Sequence, residues 1–322
     1  MWKLIIRRCF IMIPQLFLLS VIVFMIAQAM PGDPLTGFYQ SNPNISQEVI
    51  DAQRERYGLN DPWYVQYVRW VGNALQGDFG DSYQQRIPVT EVIDNRIWNT
   101  IWLSLLTLIM TYMIAIPLGL LSGRYNDTLL DRAITGYTYV GFAAPVFITS
   151  LLMLFLFGFQ LGWFPTGGSV SPHAQPGTFG YVLSKINHML LPAFSLAIIT
   201  TVSTVQYLRS ELIDQKQSDY VRTARARGAS ERRIYLKHLP RNSLLPIAAF
   251  FGYELTGLIG GTIFVEMIFS YPGMGQLFLS SIMQRDYSVV TTMVLLFGVA
   301  SILGALLSDI ILSIVDPRIK IK

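Results

Sequence analysis

Residues 219–242 read DYVRTARARGASERRIYLKHLPRN, the most basic run in the chain, and long apolar stretches bracket it on both sides. The reading is a two-helix elbow. Ser218 or Asp219 caps a first helix that sets Tyr220 and Ala224 on one face, at i and i+4, beside Val221. Gly228 supplies the left-handed turn that ends this helix. Ser230 caps a second helix with Glu231 in its first turn, where a carboxylate complements the helix dipole. The elbow should present a small apolar knob, Ala224, Ala226, Gly228 and Ala229, rimmed by Arg222, Arg225, Arg227, Arg232 and Arg233. Such a knob suits a groove on another protein. By composition alone the same run is an ordinary cytoplasmic loop, because inner loops collect Lys and Arg without needing a partner.

The flanks set the solvent. Of 322 residues, 52% are hydrophobic and 14% charged, with mean hydropathy +0.43. A soluble domain carries nearer a quarter charged residues, so the deficit points to lipid. The single Cys9 excludes an internal disulfide framework, and His173, His188 and His238 are too scattered for a metal site. A net charge of +4 is modest, and no nucleic-acid partner is expected.

Six apolar runs reach the length of a membrane span, at roughly 9–30, 97–121, 134–159, 189–208, 244–269 and 289–315. Pro14, Pro117, Pro145 and Pro192 fall within or at the ends of spans and predict kinks. Lys3, Arg7 and Arg8 ahead of the first run also fit a signal peptide, with Ala27-Gln28-Ala29 as its cleavage site. The run is long enough to cross a bilayer, which favours a retained helix. With both termini inside, 17 of the 24 basic residues lie on the cytoplasmic side, as the positive-inside rule requires.

The expected fold is an all-α integral membrane protein with six transmembrane helices. Residues 1–30 form the first helix and 31–95 an extracytoplasmic subdomain. Residues 96–315 form a five-helix core whose cytoplasmic loop 209–242, between the fourth and fifth helices, is the elbow, and 316–322 form a cytoplasmic tail. Within 31–95, a short helix from Ser46 to Tyr57 stops at Gly58, and a second starts at Asp61-Pro62. The second places Trp63, Tyr67 and Trp70 on one stripe, as in a helix lying at a membrane interface; inward packing of the same aromatics is the alternative. The Gly- and Pro-rich loop 162–187 reads as an outer turn.

No lysine follows a glycine and precedes Ser or Thr, so the chain shows no phosphate cradle and an enzyme is the poor hypothesis. The first four spans carry no Asp, Glu, Lys or Arg; the fifth holds Glu254 and Glu266 and the sixth Asp309 near its end, and of these Glu254 is the one near mid-bilayer. It lies ten residues into the fifth, about 15 Å deep, where an ionisable group is a functional candidate by default. In the transport reading that the resemblance below implies, it would line a translocation path with Tyr253, Thr256 and Gly257 and meet the amino end of a peptide or a polar gate partner. Alternatively it bonds a neighbouring Tyr or Thr and only helps helices pack. Gly257 and Gly261 form a small-xxx-small pair suited to close helix contact.

The run Tyr220-Val221-Arg222-Thr223-Ala224-Arg225-Ala226-Arg227-Gly228 resembles the signature loop of membrane subunits of binding-protein-dependent ABC importers, in their peptide and nickel branch. Arg222 and Thr223 stand where Glu and Ala are usual. Further matches are Pro31-Gly32-Asp33-Pro34, Gly58-Leu59-Asn60-Asp61-Pro62, Gln66-Tyr67, Gly77-Asp78-Phe79-Gly80 with Ser82, and Pro88-Val89. Tyr271-Pro272-Gly273-Met274-Gly275, Arg285-Asp286-Tyr287 and Asp316-Pro317-Arg318 follow the pattern too. The resemblance implies a permease subunit for oligopeptides or dipeptides, with nickel or another small solute as alternatives. It would pair with a second, homologous permease, two ATPase subunits carrying ATP and Mg, and an extracytoplasmic binding protein. Tyr220, Val221, Ala224, Arg225, Gly228, Ala229 and Ser230 would couple to the ATPase, and Glu266, Arg285 and Asp286 would lie where the binding protein docks. A secondary transporter would need an inverted repeat and paired broken helices near the midplane, of which the sequence offers one glycine-rich span and no second half.

Overall fold

The computed structural model describes residues 2–29, 47–56 and 58–315. The motifs at 31–34 and 316–318 and the tail 316–322 lie outside the described residues. Those described are nearly all helical, and their one extended pairing is an isolated bridge between Asp81 and Pro88.

In chain order the helices are α1 Trp2–Ala29, α2 Gln47–Arg56, α3 Trp63–Leu75, α4 Val89–Arg124, α5 Leu129–Ala143 and α6 Val146–Met153, the last continuing as a wide π-helical turn, Leu154–Gln160. Next come α7 Phe179–Gln215, α8 Asp219–Ala226 and α9 Glu231–Arg233, which passes through a π-helical turn, Ile234–His238, into the helical turn Leu239–Ser243. Last are α10 Leu245–Gly261, α11 Ile263–Ile268, α12 Met274–Met283 and α13 Tyr287–Val315.

Among the described residues, four helices are continuous and apolar enough to cross a membrane: α1, α4, α7 and α13. At 1.5 Å per residue the 36 residues of α4 and 37 of α7 exceed the ~30 Å hydrocarbon core, so these helices extend well beyond the expected spans. The third expected span is not one rod: α5 and α6 meet at a 106° bend. Pro145 explains the break. It has no N–H to continue α5 and forces the preceding residue out of the helical region, and Ala144 sits at φ −83°, ψ 116°. Pro14, Pro117 and Pro192, by contrast, lie inside continuous helices. The fifth expected span also divides, into α10 of 17 residues and α11 of six, with Thr262 between them.

The chain forms two compact units, and the division cuts across the expected core 96–315. One unit contains Ile101–Tyr271 and the stretch from Leu303 onward. Its core gathers Leu103, Leu154, Leu191, Leu196, Val265 and Phe269. Polar bonds stitch α5 to α7: the Tyr137 hydroxyl donates to the Ile198 carbonyl at 2.6 Å, and Gln206 donates to Thr138.

The other unit contains Trp2–Thr100 and Pro272–Ile302, with a core of Val89, Val92, Ile93, Met274, Leu277 and Met293. Gly58, at φ +64°, ends α2 as expected. Asp61 does not cap α3; it pairs with Arg69 at 2.7 Å instead. Tyr67 and Trp70 turn inward onto α1, with rings 5.4 and 6.0 Å from Phe24, and Tyr67 shares a 2.8 Å hydrogen bond with Ser20. Of the expected interfacial stripe, Trp63 alone remains exposed. Two sequence motifs meet in this unit. The Ser82 hydroxyl donates to the Asp286 carboxylate, joined by the backbone N–H of Tyr83 at 3.2 Å.

Candidate functional site

The elbow forms as two helices. Ser218 occupies the cap position of α8, but its hydroxyl donates to the Gln215 carbonyl at 2.6 Å and does not cap the helix. Gly228 takes φ +78°, the left-handed turn expected of it. Its N–H donates to the Arg225 carbonyl at 2.9 Å and that of Ala229 to Ala224 at 3.0 Å, closing the helix end. Ser230 caps α9 by accepting from the Arg233 N–H at 3.4 Å. Arg225 clasps Glu231 across the turn, with Nε–Oε1 at 2.7 Å and Nη2–Oε2 at 3.3 Å. That partner holds the exposed Glu231 carboxyl below the usual carboxylate range.

Which residues the elbow shows differs from expectation. Val221 is fully buried, together with Leu208, Leu212, Ile234, Tyr235 and Leu239. Tyr220, Ala224 and Ala229 pack half-buried against the same cluster. The exposed knob therefore shrinks to Ala226 and Gly228, with Ser230 and the rim arginines Arg222, Arg225, Arg227, Arg232 and Arg233 around it. The small residues serve a second purpose: they let the elbow seat closely on α4 and α7, whose Ile116, Leu120, Leu208 and Leu212 form the other wall.

Glu254 is half-buried on α10 and accepts a hydrogen bond from the Tyr112 hydroxyl on α4. This is the neighbouring tyrosine that the sequence reading held open. Among the described residues Glu254 makes no ion pair. Tyr253 and Gly257 are exposed, whereas Thr256 turns toward α13, beside Gly304. Nothing among the described residues would meet a Cβ at Gly257 within 4 Å. The close crossing is made by Gly252 and Gly304 instead, each against the backbone of the other's helix.

The three residues assigned to outer docking separate. Glu266 is 0% exposed and accepts from the Thr262 hydroxyl at 2.8 Å, so it offers no surface to a docking protein. Asp286 is buried in the Ser82 latch. Arg285 is exposed, at φ +57°.

Sequence reasoning missed one cluster. Asp131, 2% exposed, accepts from Arg209 Nε and Nη2, both at 2.7 Å, from the Ser122 hydroxyl, and from the Asp127 N–H at 2.8 Å. Arg209 falls at the first position of the expected loop 209–242, and Asp131 lies three residues before the expected third span. The signal was an acid and a base each at the edge of an apolar run.

Comparison with known proteins gives the class of this membrane chain. The family model described as binding-protein-dependent transport system inner membrane component matches residues 115–321, and its N-terminal companion matches residues 1–104. The chain belongs to that family. The N-terminal match ends at residue 104, close to Thr100, where the chain leaves one compact unit for the other. Among its relatives, the oligopeptide transport system permease protein AppB of Bacillus subtilis (strain 168) is 42% identical over 317 residues, 98% of each chain. The glutathione transport system permease protein GsiC of Escherichia coli (strain K12) is 32% identical over 322 residues, the whole of both. A structure of the MetNI methionine ABC transporter in an inward-facing conformation shares the fold, with TM-score 0.57 at 15% identity, covering 70% of this chain and 97% of that one.

Proposed function

We propose that this chain is one permease subunit of an ATP-driven peptide importer, forming half of the translocation path. The observation that carries the reading is the 42% identity, end to end, with an oligopeptide permease. In this reading both termini are cytoplasmic, and a second, homologous permease completes the path. Two ATPase subunits, holding ATP and Mg, seat the elbow from below, and an extracytoplasmic binding protein delivers peptide from above, where the exposed Arg285 is available to it. Glu254, with the exposed Tyr253 and Gly257, lines the path and meets the ammonium end of the peptide. Among the described residues it makes no ion pair, which supports that role. Closure of the ATPases displaces the elbow, and its apolar root on α4 and α7 carries the movement into the membrane as a rigid-body change.

The direct test is reconstitution in vesicles with partner permease, ATPases and binding protein. Uptake of a labelled peptide that requires both ATP and this chain is the expected result. Uptake of nickel but no peptide, or uptake without the ATPases, would overturn it.

Gly228→Val tests the elbow. No atom lies within 4 Å of a Cβ there, so the change adds no collision. It does place a β-branched residue at φ +78°, at a cost of about 1–2 kcal/mol, concentrated in the turn. The expected outcome is normal insertion with peptide-stimulated ATP hydrolysis and uptake both down about tenfold, and a milder loss for Gly228→Asn, which tolerates that conformation. Full uptake by the valine variant would remove the elbow from the mechanism.

A further inference from the structure

Three residues of α4 share one face at i, i+4 and i+8 spacing: Tyr112, Ile116 and Leu120. All three pack against the apolar cluster that roots the elbow through Val221, Ile234 and Leu239. Eight residues of helix cover about 12 Å, so this face is a short rod from the elbow toward the membrane interior. Its far end grips α10 twice. The Tyr112 ring stacks on Phe251 with centroids 6.0 Å apart and planes 14° from parallel, and its hydroxyl donates to Glu254, three residues further along the same helix. One side chain therefore packs against the cluster that holds the elbow's root, which also includes Leu208 and Leu212 of α7 and Ile247 of α10, and bonds the carboxylate assigned to the path.

We propose that Tyr112 is the positioning residue that ties the Glu254 carboxylate to the position of the elbow. In the arrangement seen here the hydroxyl occupies one carboxylate oxygen. A shift of the elbow carried along α4 moves that hydroxyl relative to α10, exposing the acid to an ammonium-bearing ligand in one state and covering it in the other. Tyr112 acts through Glu254 and need not touch the peptide. The inference rests on the assignment of Glu254 to the path.

The experiment uses the complete reconstituted transporter, with Tyr112→Phe, Glu254→Gln and the double variant, measuring peptide uptake and ATP consumed per peptide. Phenylalanine keeps the ring and its stacking, so co-purification with the ATPase subunits should stay at the wild-type level. Uptake by Tyr112→Phe should fall roughly tenfold, the scale of one hydrogen bond to a carboxylate, while hydrolysis continues, so that ATP per peptide rises by a similar factor. The double variant should be no slower than Glu254→Gln alone, because two residues acting as one unit are not additive. If Tyr112→Phe transports at the wild-type rate while Glu254→Gln is slow, or if the two losses multiply in the double variant, the link is overturned and the path assignment stands. If Glu254→Gln transports normally, the path assignment falls and the link falls with it.

Discussion

Gly252→Leu is expected to destroy the fold of the unit that carries the elbow. A Cβ at Gly252 would collide with the Gly304 carbonyl and would stand 2.7 Å from the Ser308 nitrogen. A Cβ at Gly304 would stand 2.6 Å from the Gly252 carbonyl and would also collide with the Thr256 hydroxyl. The Gly304 carbonyl, the Ser308 nitrogen and the Gly252 carbonyl are backbone atoms, so no rotamer change relieves those contacts, and α10 must move bodily away from α13. Parting the helices gives up the hydrogen bond from the Tyr253 N–H to Ser308 Oγ at 3.3 Å and the dispersion contacts along the crossing. Overpacking a core with side-chain relief available costs about 1–3 kcal/mol, so a backbone collision should exceed ~3 kcal/mol. In detergent, the variant should unfold at a markedly lower denaturant concentration than wild type and should accumulate poorly in membranes. Gly252→Ala should show the same defect in smaller measure. Gly257→Leu is the control, since a Cβ there meets nothing. If Gly257→Leu unfolds first and Gly252→Leu behaves as wild type, the crossing has been placed at the wrong glycines.

That contrast shows what the sequence could convey. Apolar length alone located α1, α4, α7 and α13, because a lipid-facing helix needs little beyond about 20 apolar residues. It overstated the continuity of the third and fifth spans, because length does not record where backbone hydrogen bonding is interrupted. Pro145 breaks its helix while Pro117 and Pro192 do not, and nothing in the identity of a proline separates them. Spacing marked Gly257 and Gly261 as a contact pair; among the described residues Gly257 meets nothing, and the close contact described is that of Gly252 with Gly304, between α10 and α13, some fifty residues apart in sequence. Helix periodicity carries no record of which face meets which partner. The same limit applies to the elbow. Its turn at Gly228 and the cap at Ser230 were legible as local chemistry. The burial of Val221 depended on α4 and α7 being close by, which is tertiary information. Glu254 was legible as an anomaly in an apolar run, whereas Tyr112, an ordinary aromatic in another span, was not.

The second large effect should come from the pair that the sequence hid. Arg209→Met is expected to destabilise the protein by about 3 kcal/mol, because it leaves the Asp131 carboxylate buried without its cation. The remaining donors, Ser122, Thr135 and the Asp127 N–H, satisfy individual lone pairs but do not neutralise the charge. Asp131→Asn should cost less. The Arg209 side chain keeps about a quarter of its surface exposed, at 24%, and can turn to water, while asparagine still accepts from Ser122. Replacing both, as Asp131→Leu with Arg209→Met, should recover most of the loss, since a well-packed apolar pair is often no worse than a buried ion pair. Denaturant midpoints for the four proteins measure this directly, and an Arg209→Met variant unfolding with wild type would show that the pair contributes nothing. The double variant then asks a separate question. The pair pins the start of α5 to α7 just before the elbow, and its two parallel hydrogen bonds fix direction as well as distance, which leucine and methionine cannot do. A double variant with wild-type stability but slowed uptake would mean that the ion pair is kept for the angle at which α7 hands its movement to the membrane helices.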